Sequence, residues 1–328
     1  MDLFGGRKTR IDFIGKRRIT LAISAVLCLI GLATFVAIAM DRANLGIEFA
    51  GGVAVQVDLE RPVTLSEARS ALEEAGFGNA DLQGSEGGTK LIIRVKRSEV
   101  PLDETADHII GALRSGLSGN ALTVESTSTI GPTVGQALRR DAVVAIVLSL
   151  VGIVLYIAVR FQFRFGVAAT LGTVHTVLAV LGVFFLLGKE INLLLVVALL
   201  TVAGYSLSDT VVVFDRIRET LARGGRRDLG EVINVSINDV LSRTIVTGTT
   251  TLLACISLYI WGGDVLRDFA LALTLGILVG TYSSIFVASP ILYVWGLPDR
   301  QRRPTPAGEP TRPGRRPRVA ARESARTR

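Results

Sequence analysis

The stretch INLLLVVALLTVAGYSLSDTVVVF, residues 191–214, decides the fold. It is apolar almost throughout, and its one charged residue, Asp209, stands among the polar side chains Tyr205, Ser206, Ser208 and Thr210. About 20 such residues cross a ~30 Å hydrocarbon core at about 1.5 Å per residue, so the stretch reads as a membrane-crossing helix. An ionised side chain at that depth costs roughly 2.5–3.5 kcal/mol on insertion scales, and it persists where it is paired, reached by water or protonated. Asp209 is therefore a candidate proton carrier. The alternative is a carboxylate close enough to the interface to snorkel, since Asp215 and Arg216 mark a nearby boundary. Aspartate is too short to reach far, which favours the functional reading.

Working outward, the chain holds five more runs of the same kind. Hydrophobic residues make up 49% and the mean hydropathy is +0.47. The expected spans are 19–40, 141–159, 165–187, 191–214, 240–261 and 268–295, the last long enough to tilt or to bend near Pro290. The first resembles a signal peptide in its basic start, but its length and the lack of an Ala-x-Ala site before Asp41 favour an uncleaved anchor. Basic residues of short loops stay cytoplasmic. Here they cluster before span one (Arg7, Lys8, Arg10, Lys16–Arg18), between spans two and three (Arg160, Arg164), between four and five (Arg216, Arg218, Arg223, Arg226, Arg227) and after span six. The opposite turns hold Lys189 and Arg267. The layout this implies is a cytoplasmic N-terminus 1–18, an extracytoplasmic domain 41–138, and a bundle 141–295 with a cytoplasmic loop 215–239. A cytoplasmic tail, 296–328, completes a multi-pass protein of the bacterial plasma membrane.

The net charge of +7 is then topological and calls for no nucleic acid. The tail is Pro- and Arg-rich with almost no large apolar side chain, so it is expected to be disordered, with contact to anionic membrane lipid or ribosomal RNA as the alternative use. Cys28 and Cys255 both fall in apolar runs, so no disulfide framework is implied. The two histidines, His108 and His175, lie far apart without a C-x-x-C, and no metal or cofactor is expected. No phosphate loop, nucleophile elbow or His-Glu-x-x-His pair occurs, so the chain is not read as an enzyme and its energy source is expected to be an ion gradient.

The segment 41–138 alternates strand-like and helix-like stretches. Val53–Leu59 has the alternation of a strand, and Thr64–Ala75 is a helix opened by a Thr64/Glu67 capping box. Strands at 80–84 and Leu91–Val95 flank the turn 84–88, a helix covers 102–116, and Leu122–Ser126 is a last strand. The order βαββαβ is the ferredoxin-like arrangement. The fold class is thus a six-helix membrane protein with a small extracytoplasmic α+β domain.

Span five carries Arg243 in DVLSRTIVTGTTT, with Asn238 and Asp239 as expected helix caps. Helix rise then places Arg243 about 6 Å and Asp209 about 9 Å from one boundary, so antiparallel neighbours bring the two charges level. A snorkelling anchor is the alternative for Arg243. Thr244, Thr247, Thr249, Thr250 and Thr251 line the same helix and can bond water or neighbouring backbone. Gly276 with Gly280 in span six, and Gly172 and Gly182 in span three, permit close helix packing.

These residues resemble the SecF family of the bacterial protein-export machinery, within the resistance-nodulation-division superfamily. Gly46-Ile-Glu-Phe-Ala-Gly51-Gly52 is similar to that family's Gly-Ile-Asp-Phe-Thr-Gly-Gly after span one, and Ile130–Gly135 resembles its lead into span two. Gly204–Thr210, Phe214–Glu219 and Leu241–Thr244 are similar to its signatures in spans four and five. The resemblance implies a partner of SecD beside the SecYEG translocon, using the proton-motive force, outside the ATP-driven step, to draw unfolded preprotein across. It implies Asp209 as the proton carrier, Arg243 as the residue biasing its charge, and Tyr205, Ser206, Ser208, Thr210 and Thr247 as polar support. The chain departs from the pattern at Glu48, at Ala50 and at His175-Thr176, where a His-Asp pair is expected. The competing classes are a half-sized proton-driven exporter of small molecules or lipids, disfavoured by only 6% aromatic residues, and a structural assembly factor.

Overall fold

The structure, a computed structural model, describes residues 11–40, 42–84, 87–96, 101–160, 163–224 and 228–296. The expected tail beyond Gly296, the first ten residues and Arg226 and Arg227 lie outside the described residues. In chain order come α1 (Arg17–Ala39), α2 (Ile47–Ala50), β1 (Gly52–Leu59), α3 (Leu65–Glu74), β2 (Asp81–Gly84), β3 (Lys90–Val95), α4 (Leu102–Gly116) and β4 (Leu122–Ile130). There follow α5 (Pro132–Arg160), α6 (Phe163–Leu186), α7 (Leu193–Ala222), α8 (Leu229–Trp261), α9 (Gly263–Ser283), a π-turn (Ser284–Ala288) and α10 (Ser289–Trp295). The last three form one rod, and with α1, α5, α6, α7 and α8 they make six helices long and apolar enough to cross a membrane.

The outer domain is a βαββαβ unit. Its sheet has the order β2-β3-β1-β4, every neighbour antiparallel. Alternation along β1 turns Val53, Val55 and Val57 into the core, where Ala68 and Leu72 of α3 and Ile109 and Leu113 of α4 cover them. The capping box forms as the sequence indicates. Thr64 Oγ1 accepts from Glu67 N at 3.3 Å, and Glu67 Oε2 accepts from Thr64 N at 2.9 Å. β4 runs to Ile130, beyond the expected Ser126, because its Ser- and Thr-rich half pairs with β1 while facing outward and so shows no apolar alternation.

β4 passes through Gly131 directly into α5, which opens on Pro132 rather than near residue 141. Proline suits a first helical position, where its missing N–H is not needed. In the bundle, α6, α7 and the last rod are the most buried spans, and α1, α5 and α8 lie around them. Missing side chains set the closest approaches. A Cβ on Gly276 of α9 would meet Val202 of α7 at 2.1 Å, and one on Gly31 of α1 would meet Leu178 O of α6 at 2.3 Å.

Two expectations about helix ends need correcting. The helix of the fourth span does not stop at Asp215 and Arg216, since α7 continues to Ala222. Nor do Asn238 and Asp239 cap the fifth. α8 begins at Leu229, where Asp228 accepts from Gly230 N at 3.1 Å. The expected loop 215–239 is therefore mostly two helical extensions. Asn238 instead exchanges two hydrogen bonds with the backbone of Ile11, and Asn234 Oδ1 accepts from Phe13 N and Ile14 N at 3.0 Å. That clamp lays the segment before α1 along α8 and seats Phe13 and Ile14 in the apolar cluster of Phe165, Phe214 and Ile233. Polar residues met at a loop-like density were in fact satisfying a neighbouring segment's backbone.

Candidate functional site

Helical spacing on α7 sets Tyr205 and Asp209 on one face and Ser206 and Thr210 on the next. Asp209 is half-buried. Its Oδ1 accepts from Thr244 Oγ1 of α8 at 3.0 Å, and its Oδ2 is buried with no hydrogen-bond partner. On the adjoining face Ser206 and Thr210 are fully buried. Ser206 Oγ is 3.2 Å from Thr176 Oγ1 of α6, and Thr210 Oγ1 is 2.8 Å from Ser284 Oγ of the π-turn. Thr210 also donates to Ser206 O at 3.0 Å, and Ser283 Oγ donates to Gly172 O at 2.7 Å. A connected set of hydroxyls thus joins α6, α7 and the last rod beside the carboxylate. Each is fully buried and bonded, as buried polar groups must be.

Arg243 lies on the exposed face of α8, next to Thr244. The hydroxyl of Thr244, not the guanidinium, holds Asp209 Oδ1, and the described ion pairs do not join Asp209 to Arg243. Its charge is nonetheless near enough to act on the carboxylate through space. Asp209 and Arg243 each lie about 20 Å from the facing ends of α7 and α8 at 1.5 Å per residue, so the two stand level along the pair. Thr247 is exposed, its hydroxyl donating to Arg243 O at 3.0 Å, and Ser208, also exposed, donates to Gly204 O at 3.1 Å. Tyr205 is half-buried and reaches over Gly248 of α8.

Further rungs keep the α7–α8 pair in register. Arg216 Nη2 meets Asp239 Oδ2 at 2.6 Å while its Nη1 meets Glu219, and Ser236 Oγ donates to Thr220 Oγ1 at 2.9 Å. These bonds make α7 and α8 a fixed unit, so Thr244 faces Asp209 reproducibly.

Gly46, Gly51 and Gly52 belong elsewhere, to the joint between outer domain and bundle. Gly46 N donates to Ile191 O at 2.9 Å and Ile191 N donates to Asn44 O at 2.8 Å, tying the exit of α1 to the α6–α7 turn. Gly51 and Gly52 have φ of 77° and 136°, and a Cβ on Gly52 would fall 2.3 Å from Val95 O, so both conformation and space require glycine. Beside them Glu190 Oε2 pairs with Arg94 Nε at 3.2 Å, with side-chain exposures of 9% and 17%, and Glu190 Oε1 is buried without a partner. Burial pushes the Glu190 carboxyl above its ordinary value, opposed by Arg94. Sequence reading noted Thr176 as a departure from the family pattern and passed over Glu190, Arg94 and Ser284. Only the last left a trace, as the Ser283-Ser284 pair and Ser289-Pro290 inside an apolar run.

Six membrane-length helices, a ferredoxin-like domain and a carboxylate held by a buried hydroxyl define a multi-pass membrane protein, and the comparisons place it in the protein-export class. Residues 113–297 match the family described as protein export membrane protein SecD/SecF, C-terminal. The protein translocase subunit SecF of Thermodesulfovibrio yellowstonii is 49% identical over 88% of this chain and 96% of its own length. That of Calditerrivibrio nitroreducens is 39% identical over 87% and 94%. Among solved structures, SecDF from Thermus thermophilus, a translocon-associated membrane protein, superposes with a TM-score of 0.78 at 38% identity, covering 90% of this chain. A super-membrane-facing form of SecDF gives 0.63 at 37%, covering 88%. This chain spans 39% of the length of each of those solved chains. The chain belongs to the SecF family of protein translocase subunits.

Proposed function

We infer that this chain pairs with SecD beside the SecYEG translocon and uses the proton-motive force, in a late step independent of ATP, to draw unfolded preprotein across the plasma membrane. Both termini lie in the cytoplasm and the βαββαβ domain outside. Asp209 carries the proton. The observation that supports this most is its carboxyl, one oxygen held by the Thr244 hydroxyl and the other buried and unbonded, with no cation locked onto it. Such a group can gain and lose a proton without breaking an ion pair, whereas a carboxylate in contact with a cation must give up that pair to be neutralised. Arg243, level with it on the exposed face of α8, biases the charge state, and spans four to six face the equivalent spans of SecD.

A charge crossing the membrane potential yields about 2.3 kcal/mol per 100 mV, enough to tilt a two-state equilibrium more than tenfold when fully coupled. The experiment is export into inverted vesicles with and without an imposed proton gradient. Asp209→Asn keeps shape but cannot titrate, and it should abolish the gradient-dependent part. Near-normal export by that variant would sink the reading.

A further inference from the structure

The last rod is interrupted where it crosses the site. Pro290 has no N–H to offer Phe286 O, and its ring crowds that carbonyl, so the helix widens into the π-turn Ser284–Ala288. Within the π-turn the Ser284 carbonyl also accepts from a side chain five residues on, Ser289 Oγ, at 3.0 Å. The widening turns Ser283, Ser284 and Ser289 inward together, all fully buried.

Ser284 is oversubscribed. Its Oγ lies 2.8 Å from Thr210 Oγ1, 3.1 Å from Gly280 O and 3.3 Å from Ser206 O, and beside Thr210 on α7 the Asp209 carboxyl keeps an Oδ2 that is buried with no hydrogen-bond partner. One hydroxyl carries one proton, so these bonds cannot all be made at once. Two arrangements satisfy the chemistry without moving heavy atoms far. In the first, Thr210 donates to Ser206 O and Ser284 donates to Thr210, which leaves Ser284 Oγ free to accept from a protonated Asp209. In the second, Thr210 donates to Ser284 and Ser284 donates to the Asp209 carboxylate.

We propose that Ser284 is the positioning residue that reads the charge of Asp209 into the last span, its hydroxyl turning between Thr210 and the carboxyl at the first residue of the π-turn. This deepens the proton-carrier reading and rests on it. A π-turn closes on i→i+5 bonds in place of the i→i+4 bonds on either side of it, and a charge-assisted hydrogen bond formed or lost at its first residue biases whether it stays wide or tightens.

The test uses the full-length chain reconstituted with SecD in liposomes, following by infrared difference spectroscopy across pH the carboxyl band that vanishes in Asp209→Asn. In Ser284→Ala the midpoint of that band should move by about one pH unit, a tenfold change in proton affinity. Ser284→Thr, which restores the hydroxyl, should return it to the wild-type position. An unmoved midpoint in Ser284→Ala overturns the assignment of Ser284 and leaves the proton-carrier reading intact. A wild-type chain with no titrating band removed by Asp209→Asn overturns both. If Ser284→Ala does not accumulate in the membrane, Ser284→Cys, a weak donor of similar size, gives the same two outcomes.

Discussion

Glu190, under the outer domain, and Asp209, inside the bundle, each hold one carboxyl oxygen in a bond and keep the other buried without one. The difference lies in the partner. Glu190 faces the guanidinium of Arg94 at 3.2 Å, with Glu48, Lys96 and Asp81 close by. Asp209 faces the hydroxyl of Thr244. A cation in contact makes a carboxylate a fixture, because removing either charge strands the other in a poorly solvated place. A hydroxyl can donate to the charged form or accept from the neutral one, so it tolerates both. The same side-chain chemistry thus serves as an anchor at the joint and, on the reading above, as a carrier in the bundle.

The sharpest way to break this contrast is to neutralise each carboxyl in turn. Asp209→Asn should lower gradient-driven export by at least about tenfold, whereas Glu190→Gln should keep most of it, measured in the same vesicles. Equal losses would show that both titrate in the cycle. The next effect concerns stability. Arg94→Ala leaves Glu190 buried and unpaired, a change of about 3–5 kcal/mol for buried pairs, and should loosen the outer domain from the bundle. Protease sensitivity at the 42–52 segment after α1 reads that loss, and wild-type resistance would show the pair is not an anchor.

A smaller effect follows from the Glu190 carboxyl being pushed up by burial. A docked-state value above the free one means that burial costs the charged carboxyl more than Arg94 returns, so the protonated form docks more tightly and Arg94 limits the loss once the proton leaves. That contribution is complete below the ordinary glutamate range of about 4.3 and is lost as pH rises through the raised value. Amide exchange at Gly46 and Ile191, whose N–H groups bond across the joint, should therefore quicken with pH beyond its intrinsic trend, and Glu190→Gln should flatten that excess. The smallest effect is Thr244→Val, which keeps the volume and removes the donor to Asp209 Oδ1. A stability cost of about 1–3 kcal/mol, seen as earlier thermal unfolding in detergent, is expected from the stranded acceptor. No change would mean that water or Arg243 takes the place of the hydroxyl.

Legibility followed the range of the forces involved. Apolar runs and alternation are local, so the six spans and the βαββαβ order could be read directly, as could the Thr64 capping box. The ends of α7 and α8 could not, because Arg216, Asn234, Asn238 and Asp239 look like loop residues until their partners are known. The far half of β4 escaped because Ser and Thr facing outward carry no apolar signal. At the site, Asp209 announced itself by the cost of a charge at depth. Its partner did not: a level match proposed Arg243, and the rotation of α8 about its own axis, set by packing, presents Thr244 instead.

By itself the sequence determined that this chain lives in a membrane, how many times it can cross, what small domain it carries besides and which carboxylate stands inside an apolar helix. Each of these depends on the transfer of groups from water into a low-dielectric medium or on the period of a single element, quantities written residue by residue. Only the tertiary structure decided what each buried polar group touches: Thr244 on Asp209, Arg94 on Glu190, Asn234 and Asn238 on the entry segment, Ser284 on Thr210. Hydrogen bonds act over about 3 Å, and which atoms come that close depends on helix rotation and register, which packing of the whole bundle sets.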